Sequence, residues 1–393
     1  MASPQIAFMP GTHVARARHG EGPLSGLTFA AKDLFAIRGH TSSFGHPDWA
    51  RTHEPAACSA PVVEQLLSAG ADLIGVTILD ELAFSLAGMN SFYGTPENPR
   101  VEGRLCGGSS CGSAAAVAAA LCDFALGTDT AGSVRVPAAF CGLFGIRSTH
   151  GALSTEGVLP LAPSFDAVGF LARDAHTFHR VGKVLYGAAP ARNVERVWIA
   201  EDAFALCEAG VVEPLHDLLD RTLAKLGLRA ESIEVAPEGF ASLAAAYDRL
   251  RMREIWDALG GWYTDTSPNL SAAVRARMER AREVSMNGDE QEADRVLREQ
   301  VRSRVQALCA PDALLFMPPA PGIAPRLDAS EEELAVFRAR AVELGSIAAL
   351  AGAPQLVVPA RELDGAPLAL SCIASAGSDA WLSQLAVALD RAS

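Results

Sequence analysis

One stretch limits this chain more than any other: Arg104 to Thr149, RLCGGSSCGSAAAVAAALCDFALGTDTAGSVRVPAAFCGLFGIRST. It sets Gly-Ser clusters at Gly107 to Ser113 and at Thr128 to Ser133 on either side of GSAAAVAAAL (112–121), a run of small apolar residues with no polar face. Such a run predicts a helix that is buried rather than laid on a surface. DFALGTDT (123–130) then reads as a strand and its loop. Glycines let backbone approach a ligand, and consecutive N–H groups in such turns form a concavity suited to an oxyanion. With only one helix and one strand between them, the two loops can converge in space.

The flanking sequence continues the same alternation. GLTFAAKDLFA (26–36) predicts a short buried strand ending in a polar turn at Lys32 and Asp33. PVVEQLLSA (61–69) has helical spacing with Gly70 to end it, DLIGVT (72–77) reads as a strand, and the chain returns to a buried glycine-rich segment from Ala138. Between about 190 and 310 the reading gives one strand, RVWIAED (196–202), then long charged helices ending near Ala307 to Cys309. Strands return at ALLFMP (313–318) and QLVVP (355–359), the latter after an amphipathic helix at Glu331 to Ala351. PLALSCIA (367–374) precedes a last helix near Ala380 to Leu389. The expected architecture is α/β: one large mixed sheet assembled from both ends of the chain, helices on its two faces, and a helical insertion in the middle.

Charge and cysteine usage narrow the partners. A net charge of -13 repels phosphate backbones and anionic lipid, so neither nucleic acid nor membrane is an expected partner. The basic run Arg275 to Arg282 is interleaved with Glu279 and reads as a solvated, salt-bridge-laced face. Eight cysteines form no CxxC pair and no zinc spacing, and are read mostly as buried thiols. The first 22 residues show no targeting pattern, and no apolar stretch is long enough to span a membrane, so a reducing cytoplasm is expected. There is no GxGxxG fingerprint, P-loop or metal-ligand cluster, so no cofactor or metal is expected.

The segment 104–149 resembles the amidase signature, whose core pattern is GGSSGGS, a small-residue helix, then G-T-D-x-G-G-S-[IV]-R-x-P. The likeness extends to GLTFAAKDLF, to DELAFSLAGMNSFYGTPENP (80–99) and to AGAPQLVVPARELDGAPLALS (351–371). It implies a single amidase domain over 1–393, with a signature core at about 60–190, a helical cover at about 203–310 and the C-terminal part of the sheet at 311–393. It also implies a Ser-cisSer-Lys triad: Ser133 as nucleophile, Ser109 as bridging serine after a cis Gly108–Ser109 bond, and Lys32 as base. The chemistry is coherent, because a serine hydroxyl is weak until a base takes its proton, and a lysine is a base only when burial keeps it neutral near pH 7 to 8. The N–H groups of Thr130, Ala131, Gly132 and Ser133 are expected to hold the oxyanion. Ser110, Thr128, Asp129 and Arg135 are expected to fix the loops. Ala131 stands where the family usually has glycine, so a negative φ is expected there; Cys111 also replaces a position often held by glycine or another small residue.

Three other readings follow from the same residues. Gly108 to Gly112 satisfies GxSxG with Ser110 as nucleophile, but RVEGRLCG (100–107) is a poor strand to precede such an elbow, and no histidine has a fitting context. Some amidase-like domains serve as receptors or scaffolds after losing catalytic serines, which this chain keeps. The glutaminase subunit of a tRNA-dependent amidotransferase is the third. Within the family, 44–57 and 147–170 look most like the plant-type indole-3-acetamide hydrolases, which implies a small arylacetamide cleaved to carboxylate and ammonia through an acyl-enzyme, with aliphatic amides, ureas and carbamates as the alternative substrates. Phe84, Met89, Phe92, Tyr93 and Leu161 are the expected pocket residues. A homodimer is expected only on general frequency.

Overall fold

The apolar run before Lys32 does form a strand, and a sheet extends from it in both directions. The computed structural model describes residues 6–287 and 291–392; the first five residues of the N-terminal stretch lie outside them. Ten strands join in one sheet: β1 (Thr28–Lys32), β2 (Asp72–Thr77), β3 (Phe124–Asp129), β4 (Phe144–Arg147), β5 (Ala167–Ala172), β6 (Arg196–Ala200), β7 (Ala230–Ile233), β8 (Ala313–Met317), β9 (Gln355–Leu363) and β10 (Ala366–Ile373). Their order is β2-β1-β3-β5-β4-β9-β10-β8-β6-β7. β1 runs parallel to β2 and β3, and β6 runs parallel to β7 and β8, while the strands from β3 through β5, β4, β9 and β10 to β8 pair antiparallel.

The sheet is mixed because two kinds of connection build it. Helices Pro61–Ser68 and Cys111–Ala118 carry the chain from β1 to β2 and from β2 to β3, the crossovers that parallel neighbours require. β9 and β10 instead form a hairpin whose turn residues, Asp364 and Gly365, have φ of 51° and 75°, the primed-turn geometry that suits strand twist. The β4–β9 pairing sews the two ends of the chain together. Every residue of β3, β4, β5, β8 and β10 is buried. Successive side chains point to opposite faces, so both faces of the sheet are covered.

Some expectations need correction. The small-residue helix ends at Ala118, three residues early, and Ala120 turns the chain with φ 57° so that β3 can enter beside β1. β7 lies in the stretch read as helical; it is a short strand at the end of the sheet, with two of its four residues exposed, and no apolar alternation marks it. The helix Glu331–Ala351 is amphipathic only in its first half: from Leu344 to Ala351 every residue is buried. A capping box of Ser330 and Glu333 opens that helix, and Gly352 closes it with φ 65°. It packs on helices Phe240–Thr266 and Gln291–Leu308, and Phe240–Thr266 packs in turn on Ala272–Met286. Among the described residues no helix is long and apolar enough to cross a membrane.

Candidate active site

Lys32 is the last residue of β1, fully buried, with Phe29, Ala30, Ala31, Leu34 and Phe35 buried around it in the chain. Its Nζ lies 2.7 Å from Ser109 Oγ and 3.0 Å from Thr128 Oγ1. Burial lowers its pKa to about 8, against the opposing pull of Asp80, Cys111, Asp129 and Asp166. An amine that sheds its proton near neutrality, in hydrogen-bond contact with a hydroxyl, can serve as a base toward it.

Ser109 sits on the loop leading into helix Cys111–Ala118, and its bond to Gly108 is cis. Glycine is required before it, since a Cβ on Gly108 would lie 2.4 Å from Asp80 Oδ1 and 2.6 Å from the Gly88 nitrogen. The two glycine-serine loops do meet: Ser110 N–H donates to the Ser133 carbonyl at 3.2 Å. The hydroxyls of Ser109 and Ser133 are not hydrogen-bonded to each other among the described residues. Ser110 is fully buried at the start of the helix, with its hydroxyl 3.4 Å from the Thr128 carbonyl and no strand before it, which removes the nucleophile-elbow reading.

The second loop is organised by Asp129, the last residue of β3. Its carboxylate accepts the N–H groups of Gly132, Val134 and Arg135 at 2.9, 3.0 and 3.2 Å and takes the Arg135 guanidinium through both oxygens, at 2.7 and 3.0 Å. Burial opposes ionisation of Asp129, but the charges of Arg135 and Arg147 with these hydrogen bonds hold its carboxyl well below the usual carboxylate range. Arg135 continues to Gln355 Oε1 at 2.7 Å, so β9 helps to hold this loop. Thr130 is fixed by its hydroxyl, 2.6 Å from Asp166 Oδ1, and by Tyr247, whose hydroxyl donates to its carbonyl at 3.0 Å.

This arrangement corrects the expected donor set, because the Gly132 N–H is already given to Asp129. The N–H groups of Thr130, Ala131 and Ser133 meet no protein acceptor among the described residues. Gly132 carries the positive φ, 128°, whereas Ala131 is not among the residues with positive φ. Cys111 is buried in the helix and stays away from the cavity described next; burial raises its thiol pKa well above the ordinary value.

Ser133, Thr130 and Ala131 open into a cavity of about 310 Å³, with Phe84, Leu86 and Leu161 among its apolar walls. Of the five expected pocket residues, only Phe84 and Leu161 line it. Met89 is 40% exposed, Phe92 packs edge-on to His46 at 4.4 Å, and Tyr93 lies on the same loop outside the cavity. The periodicity of a loop does not reveal which side chains it turns inward. Charged side chains of both signs complete the wall, Arg251, Arg277 and Arg338 together with Asp248 and Glu343. Arg277 belongs to the run read as a solvated face, but it follows the buried stripe Val274, Met278 and Ala281, and that spacing was the available signal.

Two further groups carry no motif of their own. Asp80 is wholly buried: Oδ2 accepts the Gly88 N–H at 3.0 Å, its own N–H donates to the Ser109 carbonyl at 3.2 Å, and burial raises its pKa. Arg147, fully buried on β4, donates to the Asp129 carbonyl and to the Phe165 carbonyl, the latter at 2.8 Å. Both lie inside segments that carried the resemblance, yet only the fold shows what they touch.

Known proteins share this fold and these segments. The family model described as Amidase matches residues 6–206. Amidase 1 of Arabidopsis thaliana is 38% identical over 392 residues, covering 92% of each chain. A protein of Pisum sativum named translocon at the outer membrane of chloroplasts 64 is 37% identical over 386 residues, covering 92% of this chain and 65% of its own. A solved structure described as crystal structure of amidase superposes with a TM-score of 0.83 at 26% identity, covering 96% of this chain and 86% of that one. On this agreement of sequence and fold, the chain belongs to the amidase signature family and is an amide-hydrolysing enzyme.

Proposed function

We propose that the enzyme hydrolyses a small carboxamide to carboxylate and ammonia through an acyl-enzyme on Ser133. The observation that carries this reading is the buried Lys32 amine 2.7 Å from Ser109 Oγ. Neutral Lys32 takes the Ser109 proton as Ser109 takes that of Ser133, and Ser133 Oγ attacks the carboxamide carbon. The second transfer needs the Ser133 hydroxyl to turn toward Ser109 when substrate binds, a tightening common in active sites. The tetrahedral oxyanion is held by the N–H groups of Thr130, Ala131 and Ser133, and the Asp129 carboxylate keeps that loop in place. The proton held by Lys32 returns through Ser109 to the departing nitrogen, which leaves as ammonia. Water then repeats the relay, attacks the acyl carbon and frees the carboxylate.

Phe84, Leu86 and Leu161 offer an apolar bed for the body of the substrate, which supports an arylacetamide as the first compound to test. The decisive experiment measures ammonia from indole-3-acetamide, phenylacetamide, malonamide and glutamine with the purified chain alone. A fluorophosphonate is then used to locate the reactive serine by mass spectrometry. Labelling at Ser133 with turnover of at least one amide is expected; labelling at another serine, or full activity in Ser133→Ala, would remove the mechanism. Activity without a partner or ATP would set the enzyme apart from an amidotransferase subunit. A reducing cytoplasm is proposed on the eight free thiols, seven of them buried. A disulfide found by mass spectrometry in protein taken from its native cell would contradict it.

A further inference from the structure

The three N–H groups left open on the Ser133 loop belong to peptide units whose carbonyl ends are all occupied. The N–H of Thr130 shares its peptide with the Asp129 carbonyl, which accepts Arg147 Nη1. The N–H of Ala131 shares its peptide with the Thr130 carbonyl, which accepts the Tyr247 hydroxyl at 3.0 Å and Arg147 Nη1 at 3.4 Å. The N–H of Ser133 shares its peptide with the Gly132 carbonyl, which accepts the Val136 N–H at 2.8 Å on entry to helix Arg135–Phe140. The helix turn therefore caps the Ser133 peptide, whereas the other two are capped by side chains from outside the loop.

An amide whose oxygen accepts a hydrogen bond is polarised along its length, and its N–H becomes a stronger donor. The two side chains that do this come from β4 and from helix Phe240–Thr266, the tyrosine standing 117 residues beyond Thr130. Both are fully buried, where a hydrogen bond is stronger than in water. One residue braces them both: the Phe165 carbonyl accepts Arg147 Nη2 at 2.8 Å, and the Phe165 ring meets Tyr247 edge-on at 5.0 Å. Burial pushes the Tyr247 hydroxyl up to about 12, so it remains a donor across the pH range in which Lys32 titrates. Ala244, Asp248 and Arg251 of the same helix line the cavity, but Tyr247 and Arg147 do not, so their effect reaches the substrate only through the backbone.

We propose that Tyr247 and Arg147 are positioning residues that polarise the Asp129–Thr130 and Thr130–Ala131 peptides, so that the Thr130 and Ala131 N–H groups hold the tetrahedral oxyanion more tightly than uncapped loop amides would. This role rests on Ser133 being the nucleophile. It also makes helix Phe240–Thr266 part of the catalytic apparatus rather than a cover alone.

The carbonyl of an acyl-enzyme reports on these donors directly. p-Nitrophenyl cinnamate, isotope-labelled at its carbonyl carbon, is used to acylate the protein, and mass spectrometry locates the modified serine. Isotope-edited infrared spectra then read the ester carbonyl, and release of cinnamate gives the deacylation rate. Tyr247→Phe keeps the ring against Phe165 and removes only the hydroxyl. Its ester carbonyl is expected at higher wavenumber than in wild type. Cooperative strengthening of about 10–30% per bond, applied to the about 10²- to 10³-fold that one oxyanion donor contributes, predicts deacylation about two- to eightfold slower. Arg147→Lys cannot reach the Asp129, Thr130 and Phe165 carbonyls together and shifts both readouts the same way. Tyr263→Phe, on the same helix with its hydroxyl on Glu279, moves neither. A Tyr247→Phe protein that melts at lower temperature yet keeps the wild-type carbonyl frequency and deacylation rate would show a packing role only and overturn the proposal. Wild type that is not acylated at Ser133 fails at the earlier step, and the nucleophile assignment falls together with the role built on it.

Discussion

At the scale of single residues, the site depends on how burial treats charge. Lys32 gives up its proton near pH 8 because water is absent around it, so the rate of acylation is expected to rise with pH through about 8. Lys32→Met is expected to lower that rate by about 10²- to 10⁴-fold, the usual contribution of a positioned base. A variant with an unchanged pH-rate profile would rule Lys32 out. The same shift has a sign for stability. The unfolded chain keeps this proton up to about 10.5 and the folded chain only to about 8, so folding is penalised below 8 and the penalty is relieved as pH rises between these values. Wild type should therefore gain about 3 kcal/mol relative to Lys32→Met across that window in paired denaturant titrations. A constant difference would mean that the buried amine is not shifted. Asp129 is the opposite case, a carboxylate kept ionised by Arg135, Arg147 and backbone N–H groups. Asp129→Ala leaves two buried guanidiniums without their anion and is expected to cost about 3–5 kcal/mol, read as a fall in denaturation midpoint. A loss below about 1 kcal/mol would show that the pair is dispensable. Ser109, Ser133, Asp129 and Arg135 could be read from one motif because each stands at a fixed place in it, and Lys32 from the separate segment GLTFAAKDLF. Asp80 could not, because its place beside Gly88 and Ser109 depends on what surrounds it.

At the scale of elements, the loop that bears Ser133 is clamped between β3 and the buried half of helix Glu331–Ala351. A Cβ on Gly345 would lie 2.1 Å from the Ala131 carbonyl oxygen, so only glycine allows the helix this close. Gly345→Ala must push the helix or the loop aside, and a cost of about 1–3 kcal/mol is expected from overpacking. It should also lower kcat, because the Ala131 and Ser133 N–H groups move with that carbonyl. Ser330→Ala removes the cap at the far end of the same helix and should cost about 1 kcal/mol while leaving kcat alone. If both substitutions changed kcat equally, the contact at Gly345 would have no special part in catalysis. Helix Glu331–Ala351 was legible from its apolar spacing, and β9 and β10 from the apolar runs QLVVP and PLALSCIA. β7 was not, because a short strand with half its residues exposed carries no hydrophobic pattern.

At the scale of the molecule, the site is built by segments far apart in the chain. β4 pairs with β9, Arg135 reaches Gln355, and Tyr247 from the helical cover holds the Thr130 carbonyl. A fragment ending at residue 312 contains Lys32, Ser109 and Ser133 but lacks β8, β9 and β10, leaving the edge of β4 unpaired. It is expected to show no cooperative unfolding transition and no labelling of Ser133; a folded, reactive fragment would show that the first part of the chain builds the site alone. What could be read from the chain alone was the chemistry on offer: two glycine-serine loops around a small-residue helix, a lysine after an apolar strand, and an acidic composition without a cofactor motif. Those follow from local spacing, and local spacing is written in the chain. The fold was needed to show that Gly132 gives its N–H to Asp129, that Met89, Phe92 and Tyr93 stand outside the cavity, and that Arg277 and Arg338 line it. Burial and charge pairing depend on residues distant in sequence, and no window of one chain contains both partners.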